Sequence, residues 1–405
     1  MDNGLRVVHL LDESTQMVAV NVIYGVGARD EDPDHTGFAH LFEHLMFGGS
    51  RHVADFDTPV QLAGGENNAW TNNDVTNYYI TIPSQNLETA LYLESDRMLA
   101  LSFDPQVLEI QRSVVMEEFK QRCLNQPYGD VQHLMRALAF TRHPYRWPTI
   151  GRDLSHIQNA TLEEVRSFFY KYYAPDNAVI GIVGNVGWEE TLSLVHKWFD
   201  DIPCREVKDR EYPQEPLQKE MRTMDVERDV PSDALYLTYH MCERTHPDFY
   251  AFDILSDILA NGDSSRLIAR LVRKRNLFSQ LDCYVDDSLD GGLFHISGRL
   301  MPGTSFDEAY SAIGEELSQL RDVPVEEMEL EKVRNKFEAN QVFSNMNYQN
   351  MAYSLAFFEM IGGAELLFDE VRNYRSVDAA QLMRIARSYL TPEHCCLIRY
   401  HARKG

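Results

Sequence analysis

One order of elements occurs twice in this chain, and that repeat constrains its fold more than any other feature. In the first half, strand-like runs at 5–10 and Met17–Tyr24 lead into an amphipathic helix near residues 38–46. A strand at 76–82, helices at 86–101 and 105–122, a helix at Thr161–Tyr172 and a strand at Ala178–Gly184 follow. The second half answers with a strand at Ala234–His240, a helix at Pro247–Ala260 and a strand at Gly292–Arg299. Helices at Ser305–Leu320, Val325–Gln341 and Ser376–Leu390 and a strand at Cys395–Tyr400 complete the second pass. A chain of 405 residues is long enough for each copy to bury its own core. The expected fold is α+β: two homologous domains, each a mainly antiparallel sheet packed with helices. Their expected limits are 1–210 and 211–405. The charged stretch at about 205–228, with Pro213 and Pro216, reads as the linker.

The two copies differ at their first helix. In the first, Phe38, Leu41, Phe42, Leu45 and Met46 recur at helical spacing and mark the buried face. His40 and His44, four apart, stack on one other face, with Glu43 beside them. Two imidazoles so spaced can grip one zinc ion, and a carboxylate that is not a ligand can take a proton from water that the ion activates. With 14 His and 62 acidic residues, an H-x-x-[DE]-H string arises by chance roughly 0.07 times in such a chain, so the string alone is suggestive only. The second copy has Asp253-Ile254-Leu255-Ser256-Asp257 at the same place, with no histidine.

The surrounding run Thr36-Gly37-Phe38-Ala39-His40-Leu41-Phe42-Glu43-His44 resembles the active-site helix of the pitrilysin family, which includes insulin-degrading enzyme and mitochondrial processing peptidase. The duplicated order extends the resemblance over the full length. It implies a zinc endopeptidase with His40 and His44 as ligands and Glu43 as the catalytic base. It also implies a third ligand on the helix at 105–122. Aligning Arg112-Ser113-Val114-Val115 with the family pattern puts that ligand at Glu118, with its neighbour Glu117 as the alternative. Gln111 stands where the family often has a further glutamate. Asn68-Ala69-Trp70-Thr71 matches the family's N-A-x-T edge strand, which implies that Asn68, Ala69 and Thr71 bind substrate backbone.

One departure bears on activity. Lined up on Ser265-Arg266-Leu267 and Leu277, the family's substrate-holding Arg and Tyr fall on Val272 and Ser279. Arg273 and Tyr284 are the nearest substitutes. The resemblance thus implies either a homodimer or a heterodimer with a homologous, zinc-less subunit, which encloses unfolded peptides or small proteins. The alternative is a non-catalytic, structural subunit of such a complex.

A net charge of −24 argues against a nucleic-acid partner, because phosphate binding rests on Lys and Arg. It suits basic peptides, and it also serves solubility. No apolar run approaches a membrane span, so no membrane partner is expected. The six cysteines include no C-x-x-C pair, and Cys395-Cys396 cannot form an unstrained disulfide, so reduced thiols are expected. No signal-like segment precedes the first strand, which points to the cytoplasm; a trimmed N-terminus would leave the periplasm open.

Overall fold

The computed structural model describes residues 1–207 and 210–403. Its strands form two five-stranded sheets of the same topology. In the first, β1 (Arg6–Leu11), β2 (Met17–Tyr24), β3 (Glu66–Thr71), β4 (Thr76–Pro83) and β5 (Ala178–Gly184) lie in the order β1-β5-β2-β4-β3. In the second, β6 (Arg222–Arg228), β7 (Ala234–His240), β8 (Phe278–Val285), β9 (Leu293–Leu300) and β10 (Cys395–Ala402) lie in the order β6-β10-β7-β9-β8. One edge pair of each sheet, β1–β5 and β6–β10, is parallel. The remaining pairings among the described residues are antiparallel. The α+β duplication expected from the repeat is the fold the chain adopts.

Strand β6 occupies the end of the stretch expected as linker; Lys208 and Asp209 of that stretch lie outside the described residues. Its sequence, Arg-Thr-Met-Asp-Val-Glu-Arg, is mostly exposed and charged, and only Met224 and Val226 give it an apolar alternation. Pairing with β10 makes it a strand, which is a tertiary fact. Two compact units result. One comprises Met1–Arg122, Trp147–Tyr212 and Val342–Phe368; the other comprises Cys123–Arg146, Pro213–Gln341 and Asp369–Gly405. No single helix among the described residues is long and apolar enough to cross a membrane. The six cysteines form no disulfide among the described residues.

In the first unit, the helices that place the site are α1 (Phe38–Leu45), α2 (Asp57–Leu62), α3 (Leu87–Leu99) and α4 (Pro105–Phe119). Val18, Val20, Val22 and Tyr24 of β2 and Tyr78, Ile80 and Ile82 of β4 form one sheet face, on which Phe38, Leu41, Phe42 and Leu45 of α1 pack. Phe42 stacks on Phe168 and Tyr173 at 5.0 and 5.1 Å. Burying one such side chain contributes about 1.5–3 kcal/mol, so the apolar stripe fixes which way α1 turns its polar face. The helix Leu162–Tyr172 begins with a capping box formed by Thr161 and Glu164. On the opposite sheet face lies the helix Tyr348–Ile361, which contacts β2 and β5. It reaches the backbone of β5 at Gly181, where an added Cβ would collide with the Ala352 carbonyl.

In the second unit, the helix Phe249–Ala260 takes the place that α1 has in the first. Asp253 and Asp257 are four apart, as His40 and His44 are, but their partners are internal. Tyr374 Oη donates to Asp253 Oδ2 at 2.7 Å. Lys336 Nζ donates to Asp257 Oδ2 at 2.8 Å, and Asn261 donates to the other oxygen at 2.6 Å. An ammonium group thus closes the second copy.

Asp253 is withdrawn from water, which pushes its carboxyl up to about 6; Asp257 and Asp287 raise it further, while Tyr374 and Arg244 pull it back. The folded chain therefore holds a proton that the unfolded chain releases above about 3.9. Stability from this group is full below that value and is lost as pH rises toward 6, on the order of 3 kcal/mol at most. Asp253→Asn keeps an acceptor for Tyr374 and removes the titration. Thermal midpoints across pH 4 to 6.5 should show the wild type falling relative to this variant. Parallel curves would rule the titration out.

Candidate metal centre

α1 and α4 lie against each other, and their facing sides carry the polar residues singled out in the sequence. The chemistry of α4 starts at its cap. Asp104 accepts the Gln106 N–H at 2.7 Å and Pro105 takes the first helical position, which defines the helix start. From there Val115 and Phe119 point into the core, and Glu118 reaches α1. Its Oε2 lies 3.5 Å from His40 Nε2 and 3.4 Å from His44 Nε2. The two imidazole planes are nearly perpendicular, at 89°, with centroids 5.0 Å apart. One ligand atom from each of the three residues falls within 4.8 Å of the others. Glu117 points outward, exposed, and pairs with Lys120 at 3.5 Å. Of the two neighbours, Glu118 faces the imidazoles and Glu117 does not.

The protonation states suit a cation. Burial pushes the His40 imidazole down to about 4, which keeps it neutral with a lone pair to give. Glu118 is held below the usual carboxylate range, first by its hydrogen bond with His44 and further by the Arg122 guanidinium. Arg122, one turn further along, donates to Glu118 Oε1 at 2.7 Å and leaves Oε2 toward the histidines. Ligand atoms around a tetrahedral zinc with bonds of about 2.0–2.2 Å lie about 3.4 Å apart, which the Glu118–histidine distances match. Two imidazole nitrogens and one carboxylate oxygen fit that ion.

Glu43 sits on the same side of α1, half-buried. Burial raises its carboxyl, and the Thr71 hydroxyl and His44 pull it partly back. Thr71 ends β3, the outermost strand of its sheet, so one main-chain edge of β3 faces away from β4. Ala69 packs toward the core under α1, while Asn68 is exposed and turns its amide oxygen to the Ala69 N–H at 2.8 Å. Ala69 and Thr71 therefore share the face of α1, and Asn68 lies on the other by strand alternation. Trp70, on the Asn68 face, meets the ring of Tyr353 at 5.2 Å.

The places of the expected Arg and Tyr belong to the second unit. Val272 is half-buried against that unit's core. Ser279 is exposed at an irregularity of β8, with its hydroxyl on the Arg299 carbonyl at 3.3 Å. Arg273 is held by Asp263 at 2.6 Å, and Tyr284 stacks on His295 at 4.5 Å. Two residues near α1 went unread in the sequence. Arg122 follows Glu118 at helical spacing, a signal that was present. Glu31 and its contacts with the start of α1 come from a loop, and no periodicity marks them.

Both halves of the chain resemble known proteins. Residues 6–151 match the family model described as Insulinase (Peptidase family M16), and residues 159–337 match the one described as Peptidase M16 inactive domain. The zinc protease PqqE of Helicobacter pylori is 30% identical over 395 residues, covering 96% of this chain and 89% of that protein. A protease from Helicobacter pylori of known crystal structure superposes with a TM-score of 0.92 at 29% identity, over 99% of this chain and 98% of the other. Pitrilysin, at 18% identity, shares the fold with a TM-score of 0.80; all of this chain matches 44% of that one.

Proposed function

Because the chain belongs to peptidase family M16, the insulinase family, we propose that it is a zinc-dependent endopeptidase subunit acting on unfolded peptides. The observation that carries this reading is the convergence of His40, His44 and Glu118 within 4.8 Å, with Glu43 on the same helix. A zinc ion bound by those three residues would supply a Lewis acid that polarises a peptide carbonyl and acidifies water. The residues of the chain do the rest. Glu43 takes the proton of the attacking water on its carboxylate and later passes it to the leaving amine. Its half-buried setting raises its carboxyl toward the range in which a base works best. Arg122 keeps Glu118 ionised and oriented. The outward edge of β3 offers main-chain N–H and C=O groups to an extended peptide, and Ala69 leaves room for that backbone to approach.

Val272 and Ser279 supply neither a guanidinium nor a phenol for the developing negative charge on the carbonyl. Losing one such donor costs about 10²–10³ in rate. The proposal therefore includes a second, homologous subunit without a zinc helix that supplies the pair; a homodimer of this chain alone would be weakly active. Turnover of unstructured peptides by the purified chain, with and without co-expressed homologues, tests both parts. Activity should vanish with a chelator, return with zinc, and rise on adding the homologue. A fully active homodimer with no gain would overturn the division of labour. Absence of zinc-dependent turnover in every combination would leave the structural-subunit reading.

A further inference from the structure

The start of α1 lacks a cap of its own. Gly37, at φ +90°, stands at the N-cap, and no side chain there receives the first N–H groups. A Cβ at Gly37 would meet Ile157 at 2.7 Å, so this position cannot carry a capping side chain without displacing its neighbour. Helix starts leave such donors unpaired unless something else accepts them. Here the acceptor comes from the preceding loop. Glu31, 6% exposed, takes the Gly37 N–H on Oε2 at 2.9 Å and the Ala39 N–H on Oε1 at 2.8 Å. The indole Nε1 of buried Trp147 donates to Oε2 at 3.1 Å and to the Ala28 carbonyl at 2.9 Å. Beside it, the Arg152 N–H donates to Thr36 Oγ1 at 2.8 Å, and the Thr36 N–H donates to His156 Nδ1 at 3.1 Å.

These contacts converge on the turn that carries a metal-site residue. Ala39 is the peptide neighbour of His40, so the carboxylate fixes the peptide plane from which His40 projects. Both oxygens face donors only. A carboxylate accepts at each, whereas an amide would turn its NH₂ against an N–H. We propose that Glu31 is the positioning residue of the metal centre, holding α1 where His40 and His44 face Glu118.

The inference rests on the reading that these three residues hold zinc, and its test separates the two. The full chain is compared with Glu31→Gln and with Thr161→Ala, which removes a helix cap elsewhere in the same unit. Zinc affinity is measured by chelator competition, and the visible spectrum is recorded with cobalt(II) in place of zinc. Glu31→Gln should weaken zinc binding about 10–100-fold, as loss of a ligand-orienting partner does, and should alter the cobalt bands. Thr161→Ala should lower the thermal midpoint and leave affinity and bands unchanged. Wild-type affinity and spectrum in Glu31→Gln would overturn the proposal. Should that variant not fold, Trp147→Phe removes one of the three donors; it should shift both readouts in the same direction, and unchanged values would overturn the proposal equally. A wild-type chain that took up neither ion would overturn the metal centre, and this inference with it.

Discussion

Glu43→Gln should keep about one zinc ion per chain and lose roughly 10²–10⁴-fold of peptide turnover, the usual cost of removing a general base. The two effects separate because Glu43 lies outside the group of three that converge. His40, His44 and Glu118 each bring one ligand atom within 4.8 Å of the others, and Glu43 is not in that group. The amide is close in size to the carboxylate and cannot accept the proton of attacking water. Metal content after dialysis and steady-state turnover on one peptide decide the matter. Wild-type turnover in the variant would remove Glu43 from the mechanism. Loss of zinc along with activity would make position 43 part of the binding site instead.

The second large effect concerns α4. Glu118→Gln should weaken zinc binding about 10²-fold or more, beyond what disturbing an outer partner costs, while Glu117→Gln should leave it unchanged. An amide oxygen in place of the Glu118 carboxylate would carry no charge for the ion, and the amide NH₂ would meet the Arg122 guanidinium that now donates to Oε1. Glu117 pairs with Lys120 at the surface, and exposed pairs of this kind contribute little. Chelator competition ranks the two variants. The reverse order would mean that α4 presents its other face to the histidines, against the packing of Val115 and Phe119.

Much of this site was legible before any coordinates. His40, Glu43 and His44 lie within one helical turn and a half, and local periodicity places them on one face. Periodicity also set the helices at 105–122 and Thr161–Tyr172. Other features had no local signal. Strand β6 is charged and mostly exposed, so its pairing with β10 cannot be read from its own residues. The helix Tyr348–Ile361 packs on β2 and β5, both far away in the chain, and depends on Gly181 to approach.

By itself the sequence determined the duplicated order of elements, the helix with its two histidines and glutamate, and the absence of histidines from the second copy. These follow from periodicity and spacing, which act over a few residues. The tertiary structure alone turned Glu118 rather than Glu117 toward α1, because neighbours on a helix differ by about 100° and only packing orients them. It alone brought Lys336 to Asp257 and Glu31 to the first turn of α1. Each of those contacts joins groups that no repeat length relates, through loops whose course is set by what they pack against.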